Sequence, residues 1–169
     1  LPTGVQAVAE NNYGRPDMAL DYLKRMTRSF SYALPGSMYE VSPDYGMMAQ
    51  AWNIYAFAVP VVRQFFGIKP MASRKEVRIH PMMPDSWDHV SLENVLVGDN
   101  SISIYYQKDG GTITLRVLQE QDWELQIALD GPKASDVTVL QGEAELTPEG
   151  EGLVLTGTSG AFQIQYSSE

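Results

Sequence analysis

Residues 35–46 read PGSMYEVSPDYG, and residues 47–66, which follow directly, read MMAQAWNIYAFAVPVVRQFF. The first stretch is a loop rich in Pro, Gly, Ser and Tyr, and it holds Glu40, an acid flanked by uncharged residues. The second stretch is apolar nearly all round when drawn as a helix, and such a helix is expected to be buried nearly all round. The sequence therefore predicts a buried helix over 47–66, kinked at Pro60, with a polar loop in front of it.

Two shorter helices are predicted before this loop. Residues 3–12 carry apolar side chains at helical spacing and end in Asn-Asn-Tyr-Gly, which favours left-handed conformations. A second helix opens at Pro16 and Asp17, residues suited to a first helical turn. Its apolar stripe predicts one buried side, with four charged residues mostly on the other: Asp21, Lys24, Arg25 and Arg28.

From Lys69 onward, apolar residues recur at every second position instead of at the spacing of a helix. This pattern predicts strands in the rest of the chain. Gly98-Asp99-Asn100 and Asp109-Gly110-Gly111 are hairpin turn signals. The predicted strands cover 77–80, 91–97, 101–107, 112–118, 123–129, 137–140, 153–156 and 161–166. The chain is thus predicted to be α+β, with a helical domain at 1–68 and an antiparallel β-sandwich domain at 69–169.

Composition excludes several classes of function. The net charge of −9 lies wholly in residues 69–169, which hold seven basic and sixteen acidic residues, and this disfavours nucleic acid as a partner. The chain has no Cys, and its longest apolar run, 56–62, is far too short to span a bilayer. His80 and His89 have no third ligand nearby in sequence, so neither a metal nor a cofactor is expected.

The predicted helix at 47–66 needs more partners than residues 1–34 can supply. Two or three helices cannot bury a helix on all sides, so the chain either oligomerises or belongs with further helices of the same protein. We favour the second interpretation, in which the missing helices belong to the intact protein.

Two runs carry a resemblance to a known group of enzymes. They are LPGSMYEVSPDYGMMAQAWNIYAFAVPVVRQFFGIKP at 34–70 and KEVRIHPMMPDSW at 75–87, followed by the strand-rich tail. Together they resemble the C-terminal end of six-hairpin α/α-barrel glycosidases, with bacterial glycogen-debranching, amylo-α-1,6-glucosidase-like proteins as the nearest likeness. α-L-Rhamnosidases and glucoamylase-like enzymes are relatives in architecture. The resemblance implies the final helical hairpins of an α/α barrel followed by an antiparallel β-sandwich.

The resemblance also implies roles for residues near the loop. Glu40 stands where this group has a general base, and the second carboxyl group that glycoside hydrolysis requires would come from earlier hairpins. The isolated chain is therefore expected to be inactive towards its oligosaccharide or polysaccharide substrate. Tyr39, Tyr45 and Trp52 are candidates for stacking on a sugar ring, although aromatic residues at helix starts are more often core. Asn53, on a helix expected to be buried, needs hydrogen-bond partners, either substrate hydroxyls or backbone.

Other readings of the sequence stay open. Without the resemblance, Glu40 would be read as a solvated loop acid, and Asp44 is better read as a charge at the start of the next helix. The enzyme could be α-L-rhamnosidase-like rather than debranching-like. Two readings without catalysis also stand, namely a carbohydrate-binding β-sandwich module and a structural or assembly role.

Overall fold

The computed structural model describes residues 2–41 and 44–167, and its class is α+β. The chain divides into two compact units, one made of Leu1–Phe65 with Met82–Ser86 and the other of Phe66–Pro81 with Trp87–Glu169. The helices lie in the first unit: α1 (Pro2–Asn12), α2 (Pro16–Met26) and α3 (Ala51–Ala58), the last continuing as a π-helical segment, Val59–Phe65. No helix among the described residues has both the length and the apolar character needed to cross a bilayer.

Close packing joins α1 to α3. A Cβ atom placed on Gly4 would lie 2.1 Å from the Cβ of Ala56, so the two backbones approach closely only because residue 4 has no side chain. Helix α2 buries the apolar stripe that its sequence predicted, through Ala19, Leu20 and Leu23. The first unit is therefore a small helical cluster built on one side of α3.

The third helix differs from its prediction in extent. It begins at Ala51 rather than Met47, because the N–H of Met47 donates to the Glu40 side chain and its carbonyl accepts the Glu40 N–H. Asp44 is consequently not a charge at its N-terminus. Pro60 lies in the π-helical segment, whose wider turn accommodates a residue that has no N–H and whose ring would clash with an α-helical carbonyl.

Helix α3 is buried on one side only. Asn53 and Ala56 are its buried residues, whereas four large apolar side chains are exposed: Trp52, Ile54, Tyr55 and Phe57. The physical reason is geometric, because a few helices can cover only one side of a cylinder. The exposure agrees with the expectation that two or three helices cannot bury this helix on all sides, and its burial by further helices of the same protein stays a prediction.

The described residues of the second unit form two five-stranded sheets. The strand orders are β1-β2-β6-β9-β8 and β3-β4-β5-β10-β7, and all pairs are antiparallel except β2 with β6, which is parallel. Inward and outward residues alternate along β4 and β5, as expected for sheets with one buried face. The strands are β1 (Ile68–Met71), β2 (Glu76–Ile79), β3 (His89–Val97), β4 (Asn100–Asp109), β5 (Thr112–Gln119), β6 (Glu124–Leu129), β7 (Val137–Gln141), β8 (Glu145–Glu149), β9 (Gly152–Gly157) and β10 (Ala161–Ser167).

The eight strands predicted from the sequence are confirmed, to within two residues at each end, while β1 and β8 were missed. Both missed strands lie at edges of the first sheet, and each contains a proline, Pro70 or Pro148. The edge strand β3 carries a register shift between Leu92 and Val95, where Asn94 has a φ of 57°. An irregularity of this kind is a β-bulge.

A buried pair of amides ties several turns of the second unit together. Asn100 is fully buried, and its Nδ2 donates to Oε1 of Gln119 at 2.9 Å. Its Oδ1 accepts from the backbone N–H groups of Glu120 and Gln121, at 3.1 and 3.0 Å. Nε2 of Gln119 then donates to the carbonyl of Trp123 at 2.9 Å. Buried polar groups satisfied in this way add rigidity, because each would be costly if left unpaired.

Replacing Asn100 by Ala is expected to lower the free energy of unfolding of the second unit by about 2–4 kcal/mol, since it leaves buried amide groups without partners. Urea unfolding followed by circular dichroism measures this. The matched control is Ser101→Ala on the same strand, which should change stability by less than about 0.5 kcal/mol. Equal stabilities for the two variants would show that the amide pair is not structurally important.

Candidate functional site

The loop that holds Glu40 folds back on itself as a narrow hairpin. The backbone N–H of Glu40 donates to the carbonyl of Met47 at 2.9 Å, and Val41 and Tyr45 exchange both of their backbone hydrogen bonds at 3.0 Å. Gly46 is the extra residue between these two pairs, and its φ of 81° is the left-handed conformation that such a position requires. The hairpin therefore holds Glu40 on paired backbone rather than on a free loop.

Gly46 also leaves room for the Glu40 carboxylate. Oε2 of Glu40 accepts a hydrogen bond from the N–H of Met47 at 3.3 Å. A Cβ atom at position 46 would lie 2.7 Å from the same oxygen, closer than real Cβ contacts allow. The position of the carboxylate thus depends on glycine at residue 46 for space as well as for conformation.

Asn53 fixes the chain on the other side of Glu40. Its side chain is 3% exposed and lies in the first turn of α3, and Nδ2 donates to the carbonyls of Tyr39 at 2.8 Å and Met38 at 3.4 Å. Of the two kinds of partner expected for this amide, the structure shows backbone. Asn53 therefore anchors the segment that leads into Glu40, and a contact between Asn53 and a substrate stays a prediction.

A cavity of about 390 Å³ lies in front of these groups. Its volume is in the range typical of small-molecule sites. Three of the residues singled out from the sequence line it together, namely Tyr39, Glu40 and Asn53. The other lining residues come from the first two helices and the segment after them: Thr3, Tyr22, Arg25, Met26, Arg28, Ser29 and Met38.

Two arginines of this cavity were missed by the sequence analysis, which placed them on the solvent side of α2. Arg25 pairs with Asp21 at 2.6 Å and lies 5.6 Å from the ring centroid of Tyr22. Arg28 forms no ion pair with any described residue. The spacing of Arg25 and Arg28, three residues apart and beside an aromatic residue, was a signal that they share a face.

The other two predicted contact residues lie elsewhere. Tyr45 is 76% exposed at the hairpin, and Trp52 is 52% exposed, with its Nε1 donating to the side chain of Gln50. Neither residue lines the cavity that contains Glu40. The structure therefore brings together three of the five predicted site residues.

The histidines form no metal centre among the residues that the structure describes. Nε2 of His80 lies 2.8 Å from Oδ2 of Asp130, and no group of three potential ligands occurs in the described part of the chain. His89 is exposed on β3. The candidate site is accordingly the cavity beside Glu40.

Comparison with known proteins identifies solved structures with a similar fold. No protein-family model matches the sequence, and no curated protein matches it significantly. The structure is similar to that of an α-L-rhamnosidase from Dictyoglumus thermophilum, with a TM-score of 0.61 and 15% identity. It is also similar to the Streptomyces avermitilis α-L-rhamnosidase solved with L-rhamnose, with a TM-score of 0.63 and 13% identity. In both cases 94% of this chain is covered, but only 20% and 17% of the other.

Two glycine-to-alanine variants test whether the Glu40 carboxylate needs the space left by glycine at residue 46. Gly46 and Gly36 both have left-handed φ values, 81° and 75°, but a Cβ atom at Gly36 would meet nothing within 4 Å. Both Ala variants bear a conformational cost of about 1–2 kcal/mol, and Gly46→Ala alone displaces the carboxylate. We expect amide hydrogen exchange at Glu40 and Met47 to accelerate at least about tenfold in Gly46→Ala and to stay near the original rate in Gly36→Ala. Similar exchange rates in both variants would contradict this account.

Proposed function

We propose that this chain is the C-terminal part of a glycosidase acting on α-linked sugars, and that Glu40 is its general base. The observation that carries the proposal is the placement of the Glu40 carboxylate, held by Met47 and Gly46 at the edge of a polar, aromatic cavity. The shared fold with the α-L-rhamnosidases supports it, as does the sequence resemblance to six-hairpin glycosidases.

The local geometry suits base catalysis. A general base needs an oxygen that is free to accept a proton from the attacking water. One oxygen, Oε2, accepts the Met47 N–H, while Oε1 has no hydrogen-bond partner within residues 2–41 and 44–167. Oε1 would accept a proton from water as that water attacks the anomeric carbon, and an acid from another part of the protein would protonate the leaving oxygen.

The remaining lining residues supply groups that sugars use. Tyr39 and Tyr22 offer aromatic faces to the C–H groups of a sugar ring, and the arginines Arg25 and Arg28 offer N–H donors to its hydroxyls. Tyr45 and Trp52 lie outside this cavity, so their proposed contacts would be with sugar units further along the chain. Substrate binding by Tyr39, Tyr45, Trp52 and Asn53 stays a prediction.

The exposed apolar surface of the first unit supports the presence of further hairpins. Besides the four exposed side chains of α3, an apolar pocket of about 280 Å³ opens next to that helix, with Phe30, Ile54 and Phe57 in its lining. Contiguous apolar surface of this kind normally has a partner. We propose that the partner is the rest of an α/α barrel in the same protein, which would also supply the general acid.

Two substrate classes are proposed. The resemblance of the sequence favours α-linked glucosides of the debranching type, and that assignment rests on the sequence alone. The fold shared with two α-L-rhamnosidases favours an α-L-rhamnoside instead. Both reactions need the same pair of carboxyl groups, so the role of Glu40 is the same in either.

Glu40→Gln in the longer protein that contains this chain is expected to lower kcat by about 10²-fold or more, because the amide cannot accept the proton. Activity would be measured with an α-1,6-linked glucoside and with a p-nitrophenyl α-L-rhamnoside, and the substrate that is cleaved identifies the class. Asp44→Asn is the control, since it removes a nearby loop carboxylate that the proposal does not use.

Near-normal turnover by Glu40→Gln would refute the base assignment. Equal losses in Glu40→Gln and Asp44→Asn would also count against it, because they would indicate a general effect of loop charge. Asn53→Ala distinguishes a residue that positions Glu40 from one that takes part in the reaction. It should lower kcat less than Glu40→Gln, and it should speed hydrogen exchange at the Glu40 amide.

A further inference from the structure

A second groove lies in the other unit of the chain, on the sheet formed by β3, β4, β5, β10 and β7. Its volume is about 420 Å³. Four of its lining side chains alternate with the buried residues of β4 and β5, so the groove is on the solvent-facing side of this sheet: Tyr105, Gln107, Thr114 and Arg116. The lining residues are His89, Val90, Ser91, Tyr105, Tyr106, Gln107, Thr114, Arg116 and Gln163.

Strand register arranges these side chains in two parallel rows. Ser91 pairs with Tyr105, Tyr105 with Arg116, and Arg116 with Gln163, so one row crosses four strands. The next row begins with His89 opposite Gln107, which in turn is opposite Thr114. At a strand spacing of about 4.8 Å, the first row is roughly 14 Å long and the second roughly 10 Å. The groove is therefore an elongated surface with a regular set of side chains.

The centre of the first row is an aromatic residue beside a guanidinium group. The Arg116 guanidinium carbon lies 5.9 Å from the ring centroid of Tyr105, within the range of a cation–π contact. Each group restricts the movement of the other, which lowers the entropy lost when a ligand binds. The pair offers a flat apolar surface together with fixed N–H donors.

Around this pair are polar side chains with unused hydrogen-bonding capacity. Within the described part of the chain, the side chains of His89, Gln107 and Gln163 form no hydrogen bond. The amides can both donate and accept, as sugar hydroxyls do. Thr114 accepts only a long contact from Gln165, at 3.4 Å. The chemistry of the groove thus matches a ligand with many hydroxyl groups.

Charge indicates that the ligand is neutral. Among the described residues, no Asp or Glu lines the groove, and Arg116 is the only Lys or Arg in its lining. The chain as a whole carries a net charge of −9, which repels polyanions. Neither a cation nor an acidic polymer is favoured.

We propose that this groove binds a neutral oligosaccharide, with the sugar rings on Tyr105 and the hydroxyls on Arg116, Gln107 and Gln163. It is a second carbohydrate site, in a different unit from Glu40, and it takes no part in bond cleavage. The choice of a sugar as the ligand rests on the proposed function. The geometry of the groove is independent of that function.

Binding would be measured on the 169-residue chain by ¹⁵N NMR titration with maltoheptaose and with a neutral rhamnose-containing oligosaccharide. We expect saturable shifts of backbone amides in 89–91, 105–107 and 114–116 with at least one of the two sugars. Tyr105→Ala should weaken that binding about tenfold or more. Arg116→Ala, which changes an exposed side chain and should not disturb folding, should weaken it as well.

Two controls separate this site from the Glu40 cavity. Tyr13→Ala removes a tyrosine that is 78% exposed in the other unit, and it should leave the affinity unchanged. Glu40→Gln should also leave it unchanged, whatever its effect on turnover in the longer protein. Retained binding together with an active Glu40→Gln enzyme would overturn the proposed function and leave the groove site standing.

Any of four results would overturn the groove proposal. One is the absence of saturable binding of both sugars at millimolar concentration. Another is binding that perturbs residues 38–53 and leaves the strands unaffected. The third is unchanged affinity in both Tyr105→Ala and Arg116→Ala. The fourth is tighter binding of trigalacturonate than of either neutral sugar.

Discussion

The loop that presents Glu40 depends on one buried amide, that of Asn53. Its Nδ2 has to be satisfied because it is removed from water, and the carbonyls of Met38 and Tyr39 are the acceptors it finds. This requirement fixes where the loop meets α3. Met47 then uses both of its backbone groups on Glu40, so the same contacts that place the carboxylate also decide that the helix begins later, at Ala51.

The fold could be predicted from the sequence for elements that bury one face, because their apolar residues then recur at regular intervals. Strands such as β4 and β5 alternate because every second side chain enters the core. The edge strands β1 and β8 leave no such pattern, since they are short, mostly exposed and interrupted by proline. The start of α3 was placed too early because Met47 to Gln50 are good helix residues, and their sequence does not show that the backbone of Met47 is already bonded to Glu40.

The part of the candidate site that lies close together in the sequence could be predicted. Loop composition, aided by the family resemblance, singled out Tyr39, Glu40 and Asn53, and the structure places all three on one cavity. Arg25 and Arg28 escaped notice because polar residues on an amphipathic helix are read as facing water. They line a cavity through contacts between distant parts of the chain, and such contacts leave no periodic signal in a single sequence.

The prolines and the bulge at the sheet edges bear on how the chain behaves at high concentration. A strand edge with free N–H and C=O groups invites another strand to pair with it, and this is a common route to aggregation. Pro70 and Pro148 each remove a donor from an edge of the first sheet, and the bulge at Asn94 bends an edge of the second. Among the described strands, these features make three of the four sheet edges poorer templates for strand addition, which disfavours self-association of the kind that leads to amyloid.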